Sequence, residues 1–213
     1  SNNITISGST IDANEVIGGE ESDDGLRALG GGILIKNSNV SIIDNTQIIN
    51  NKASIADNKG AAIYAVNSEL FIDGILIQGN ENVDYENSLG GGIFLKNGPT
   101  PSIVKNTEIR GNSSTKGAAI YLDNNPLILE RVVISGNWTT VGGAAIYTFQ
   151  SPLSIVNCTI SGNTFSGTGG ELIAGALYLD TDPSYGSTSI INTIIWENKA
   201  PQITRSGQNP LLN

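Results

Sequence analysis

The sequence predicts an all-β chain, a single-stranded right-handed parallel β-helix (a solenoid) of about seven rungs with three short strands per rung. Three observations carry this. A 22-residue phrase, GGAAIYTFQSPLSIVNCTISGN from Gly142 to Asn163, recurs along the chain: from Gly30 to Asn51, Lys59 to Asn80, Gly90 to Asn112, Lys116 to Asn137 and Ala174 to Asn198. The phrase alternates apolar and polar residues with period 2 in short runs, broken by Gly, Asn, Pro and Ser, with no helical spacing. One such turn cannot bury its own apolar face, so successive turns must stack. The opening Asn3–Asn14 reads as the last half of one further copy. At ~4.8 Å per stacked strand the rod is on the order of 30 Å long.

Each strand then follows from its columns. The first strand aligns Ile33, Ile63, Ile93, Ile120, Ile146 and Leu177, with Ile35, Leu95, Leu122 and Leu179 two residues on. The second aligns Ile6, Ile43, Ile72, Val104, Leu129, Ile155 and Ile190. The third aligns Ile11, Ile48, Ile77, Ile109, Ile134, Ile160 and Ile195, preceded by Ser9, Thr46, Ile75, Thr107, Val132, Cys158 and Thr193. Residues two apart share a face, so all these columns are expected inside the coil, each fully buried Ile or Leu contributing about 1.5–3 kcal/mol. Asn14, Asn51, Asn80, Asn112, Asn137, Asn163 and Asn198 form a further column just past the third strand. An amide there can bond the same amide one rung above and below, or cap the corner, and Asn tolerates the left-handed backbone of a tight corner.

The totals bound the function. The 213 residues are 38% hydrophobic and 15% charged, and read as a single β-helix domain over 1–213. The net charge of −9 disfavours nucleic acid and anionic membrane as partners, and no apolar run is long enough to insert in a bilayer. His is absent, which removes imidazole catalysis and imidazole ligands, and Cys158 is the only cysteine. With neither a signal-peptide pattern nor a first Met, the chain is expected to be a mature chain or a fragment of a larger surface or secreted protein.

Two outward features are candidate sites. Tyr64, Phe94, Tyr121, Tyr147 and Tyr178 form one column of the first strand, beside the small residues Gly32, Ala62, Gly92, Ala119, Ala145 and Ala176. Rings beside small residues make a trough in which sugar rings can lie, or the rings stack on one another down the ladder. The corner after the third strand is short in two rungs and long elsewhere, and its loops hold Glu15, Glu20, Glu21, Asp23, Asp24, Asp57, Glu81, Asp84, Glu86 and Glu171, half of the 20 acids. Most such acidic edges are simply solvated. No cofactor is required by the pattern, but Ca2+ would suit Glu20, Glu21, Asp23 and Asp24, or Asp180 with Asp182, as hard oxygen ligands.

GGAAIY, GGGIFL and GGGILI followed by ISGN, IQGN or IRGN resemble the GGA-[ILV] and F-x-x-N repeats of polymorphic outer membrane proteins, with Ile in place of Phe. The chain is also similar to right-handed β-helix repeat proteins of bacterial surfaces, and IINTIIWENKAPQI (Ile190–Ile203) to their closing rung. The resemblance implies a secreted or bacterial cell-surface setting. It also implies a non-catalytic stalk or adhesin module with a glycan or cell-surface partner. The same coil carries pectate-lyase-like enzymes, so a lyase or hydrolase of acidic polysaccharide is the alternative. Lys36, Lys96, Asp123, Asp180, Glu108 and Arg110 are the outward charges available to it. A β-helix must also cover its open ends, so end-to-end self-association into a fibre is a third reading.

Overall fold

A computed structural model describes residues 3–17, 29–54, 58–83, 88–166, 175–179, 183–199 and 201–206. Every strand pairing among them is parallel, and strands join their counterparts one repeat away, giving four sheets of six or seven strands. First strands run from Ile33–Lys36 to Ile203–Arg205, second strands from Asn3–Ser7 to Thr188–Ile191, and third strands from Thr10–Asp12 to Ile194–Trp196. Among the described residues the one helical element is a 3-10 turn at Pro183–Tyr185.

The repeat holds one strand more than the sequence pattern suggests. Glu15–Val16, Lys52–Ala53, Glu81–Asn82, Ser113–Lys116, Trp138–Gly142 and Thr164–Phe165 pair into a fourth sheet directly after the asparagine column. Its strands are mostly two residues long, too short to show an alternation, and so read as loop.

The interior is a single file. Ile48, Ile77, Ile109, Ile134 and Ile160 are fully buried, Ile11 and Ile195 close the file at its ends, and first- and second-strand columns join them in one cluster. Register corrects one position: Ile6 pairs with Ile42, which pairs with Ile72, so Ile42 and not Ile43 lines the interior. The cause is an extra corner residue, since Asp44 and Asn45, both at φ 58°, do the work that Gly74 does alone one rung later.

Each corner has its own left-handed column, which explains the wealth of Asn and Gly. Asn37, Asn67, Asn97 and Asn124 follow the first strand, and Asn106, Arg131, Asn157 and Asn192 follow the second. After the third strand the left-handed residue is the one before the column of asparagines: Ala13, Asn50, Gly79, Gly111, Gly136, Gly162 and Glu197. The column asparagines themselves are absent from the positive-φ set, so their part is hydrogen bonding, not backbone tolerance.

Candidate functional site

The asparagine column is a continuous internal ladder. Asn51, Asn80, Asn112, Asn137 and Asn163 are fully buried. In each, the side-chain Nδ2 and the backbone N–H both donate to Oδ1 of the next asparagine, as in Asn137 to Asn163 at 2.9 and 3.0 Å. Nδ2 also donates to a third-strand carbonyl of the preceding rung, Ile109 O in the case of Asn137 at 3.1 Å. Every polar atom of the side chain is thereby used, which is what an amide at zero exposure requires.

A second column satisfies the corner before the third strand. Thr46, Thr107 and Thr193 each accept a backbone N–H from the rung before and donate back to a carbonyl two or three residues upstream. Cys158 stands in the same column and does the same: Val132 N–H donates to Sγ at 3.4 Å, and Sγ–H donates to Val156 O at 3.2 Å. Burial pushes the thiol's pKa up, against the smaller pull of those backbone bonds. Cys158 is a threonine surrogate in the wall of the coil.

The five rings stack, with centroids 4.3–5.3 Å apart and planes within 6–19° of parallel. Their faces are therefore turned along the rod axis toward one another, and only edges face outward. The open trough expected from the sequence is not formed. Tyr64, Phe94 and Tyr121 are buried at 7%, 0% and 9% exposure, while Tyr147 and Tyr178 are partly exposed. The cover is a column of bridge residues, Leu29, Lys59, Leu89 and Lys116, the last three standing five positions before Tyr64, Phe94 and Tyr121. Leu29 and Leu89 pack on the rings, and the ammonium groups of Lys59 and Lys116 sit 5.7 and 5.5 Å from the centroids of Phe94 and Tyr147. The signal was present as alternating Leu-Gly and Lys-Gly before each first strand. In the next rung the same position is Gly142, paired with Lys116, so Tyr147 has no covering side chain from its own rung and only the Lys116 ammonium of the neighbouring one.

The small residues are also placed differently. Ala62, Ala119, Ala145 and Ala176 belong to the interior core, because the chain bends at each Gly/Ala pair and the alternation restarts there. The residues behind the rings are the left-handed glycines four positions earlier: a Cβ on Gly90 or Gly117 would lie 3.0 Å from Cβ of Phe94 or Tyr121.

Of the acidic edge, Glu15 and Glu81 are described. They flank Lys52 in one outward column of the fourth sheet; Glu15 accepts from Ser54 Oγ, and Glu81 lies 3.9 Å from Lys52 Nζ. Glu20, Glu21, Asp23, Asp24, Asp57, Asp84, Glu86, Glu171, Asp180 and Asp182 lie outside the described residues, and with them both calcium clusters. Among the described residues no group of three or more His, Cys, Asp or Glu could hold a metal ion. The outward charges pair across or along strands: Lys96 with Asp123 at 2.9 Å, Lys105 with Asp73 at 3.4 Å, and Arg110 with Glu108 at 3.3 Å.

Sequence reasoning passed over the outward face of the third-strand sheet. A shallow groove of about 620 Å3 follows its edge, with Gln47, Asn106, Glu108 and Arg131 around Leu76 and Val133. The column Gln47, Leu76, Glu108, Val133, Thr159, Ile194 continues from it along the rod. Trp196 stands 65% exposed at the far end beside Ser161, with Ser135 one rung beyond Ser161. The signal was the triplets VVI and IIW, apolar on both faces where alternation asks for one.

A family model described as right-handed β-helix region matches residues 1–211. No curated protein and no solved structure matches the chain. Four parallel sheets wound around one interior file, and a family match over nearly every residue, lead to one assignment: the chain belongs to the right-handed β-helix family.

Proposed function

We propose that this chain is a non-catalytic, extracellular β-helix module, a rigid stalk or adhesin segment of a bacterial surface or secreted protein. The observation that carries the reading is the saturated interior. Each central rung is tied to the next by sheet hydrogen bonds and by the buried amide ladder, and five rungs add a ring stack. Such a rod resists bending because any tilt between rungs breaks several buried bonds together.

Its glycan or surface partner meets the strip on the third-strand face rather than the ring stack, whose faces are occupied. The strip offers what sugar recognition uses: an exposed indole, Ser and Thr hydroxyls, and Gln, Glu and Arg over an apolar floor. Successive rungs repeat every ~4.8 Å, close to the rise of one pyranose unit in a linear glycan laid along the axis. A glycan array read with the wild type, Trp196→Ala and Arg131→Ala tests this. Binding lost in both variants supports it, and no glycan bound by the wild type counts against it. Release of unsaturated products from a uronate polymer would replace it with the lyase reading.

A further inference from the structure

Two residues depart from the pattern of one corner, and both line the same groove. Between the second and third strands the left-handed position is held in other rungs by Gly, Asn or Asp, as at Asn106 and Asn157. These residues take that backbone readily, and a long side chain takes it at a cost. Arg131, at φ 55°, is therefore strained where asparagine would not be, and strain of this kind gathers at ligand-binding positions. Gly74 departs the other way: a Cβ there would meet nothing within 4 Å, so the corner is open between Asn45 and Asn106. Its rung also carries Ile75, 4% exposed, where the rungs on either side carry Thr46 and Thr107.

The groove is built on two columns that advance ~4.8 Å per rung. The corner column Gly74, Asn106, Arg131 stands two residues before the strand column Leu76, Glu108, Val133. The Arg131 side chain is drawn back one rung: Nε donates to Asn106 Oδ1 at 2.8 Å, Nη1 meets Glu130, and no described residue accepts from Nη2. Asn106 is itself held by its bond to Asp73 at 2.6 Å. Glu108 lies 3.3 Å from Arg110 Nε and keeps further lone pairs for a ligand. Around the open place at Gly74, over a floor of Ile75 and Leu76, the groove thus sets one oriented cationic donor in the corner column and one anionic acceptor in the strand column. They are its two charged lining residues, and their charges cancel.

We infer that this groove is a subsite for an acetamido sugar, an N-acetylhexosamine unit of a glycan; the inference rests on the glycan reading of this face. An acetamide presents an N–H donor and a carbonyl acceptor on opposite sides, and a methyl beyond them. Glu108 takes the N–H, Nη2 of Arg131 reaches the carbonyl, and the methyl enters the notch at Gly74 while the pyranose lies on Leu76. A hydroxyl in place of the acetamide leaves the notch unfilled and one of the two charged groups without a partner. A uronate would set its carboxylate beside Glu108, on a chain of net charge −9.

The test is isothermal titration calorimetry with paired sugars that differ only in the 2-substituent: tri-N-acetylchitotriose against cellotriose, and the methyl glycosides of N-acetylgalactosamine and galactose, with trigalacturonate as the acidic probe. Saturation-transfer NMR reads which ligand protons touch the protein. Gly74→Asn closes the notch with the residue that neighbouring rungs hold at the same backbone, and Arg131→Asn removes the guanidinium and the strain together. Circular dichroism confirms the fold of each. In at least one pair the acetamido member is expected to bind at least tenfold more tightly, with the strongest saturation at its methyl. Both variants are expected to weaken that binding at least tenfold, and Arg131→Asn to melt no lower than the wild type. Equal affinity within each pair, tightest binding of trigalacturonate, or binding kept by the folded variants would overturn the inference and leave the glycan reading standing. An Arg131→Asn that melts well below the wild type would also overturn it, since the residue then serves the corner. No binding of any probe would overturn it together with the glycan reading.

Discussion

Removing one amide from the middle of the ladder should cost far more than removing one from its end. In Asn137→Ala the backbone N–H and Nδ2 of Asn112 both lose their acceptor, each bond being 3.0 Å long, at a site of zero exposure. Ile109 O, Ser135 O and Asn163 Oδ1 each lose a donor as well. A buried group left unsatisfied costs about 1–3 kcal/mol, so two orphaned donors and the weakened acceptors come to roughly 3–5 kcal/mol. In a chain of this length that is a fall in Tm of about 10 °C. Asn14→Ala is the comparison: Asn14 gives two bonds to Asn51, but no described residue donates to its own side chain, so roughly 1 kcal/mol or less is expected. Asn137→Asp separates hydrogen bonding from shape. It keeps both acceptors for Asn112 but turns a carboxylate toward two carbonyls and the Asn163 oxygen. Its folded pKa is thereby raised above the unfolded value, so the penalty is full at neutral pH and shrinks as acid protonates the group and restores a donor. Urea titrations followed by circular dichroism measure all three. Equal small losses in Asn137→Ala and Asn14→Ala would refute the claim that the ladder holds the rungs together.

Gly136→Ala isolates the left-handed backbone, because a Cβ there meets nothing within 4 Å at φ 62°; a loss of about 1 kcal/mol is expected by urea titration. Gly117→Ala puts a Cβ 2.5 Å from Ile120 O and should lose several times as much. Glu197, exposed at φ 52° in the column of Gly136 and Gly162, should gain about 0.5–1 kcal/mol on change to Gly, read as a raised Tm. Cys158→Thr should fold with unchanged stability within about 1 kcal/mol, and native Cys158 should react with a thiol reagent only as the protein unfolds. Asp73 has its pKa lowered chiefly by the bond from Asn106 Nδ2 and by Lys105; its small stabilising effect is present above the ordinary carboxylate range and lost as pH falls through the lowered value, and Asp73→Asn should flatten that part of the acid limb.

The interior of this fold was legible because it repeats. Ile134 above Ile109 and below Ile160 is a statement about spacing, and stacking converts spacing directly into contact. The same logic failed wherever a rung departs from the period. Asp44 and Asn45 add a corner residue and move the interior position from Ile43 to Ile42. Ala62 fell on the wrong side because alternation was counted through a bend. The rings were legible as a column but not as to their cover, since Leu89 over Phe94 depends on how the incoming chain crosses the sheet. The strip from Gln47 to Trp196 was hidden for the opposite reason: its residues differ from rung to rung, and an argument built on likeness overlooks them.

Everything rests on the rungs being stacked in one register along one axis, and pulsed electron–electron distances test that most directly. In a Cys158→Thr background, spin labels go on Thr159 paired with Gln47, and on Thr159 paired with Thr10, all outward in the third-strand sheet. The first pair spans four rung steps and the second five, so at ~4.8 Å per step the distances should be near ~19 and ~24 Å, each narrow and differing by one step. Broad distributions, or a Thr10 pair no longer than the Gln47 pair, would contradict the stacked rod.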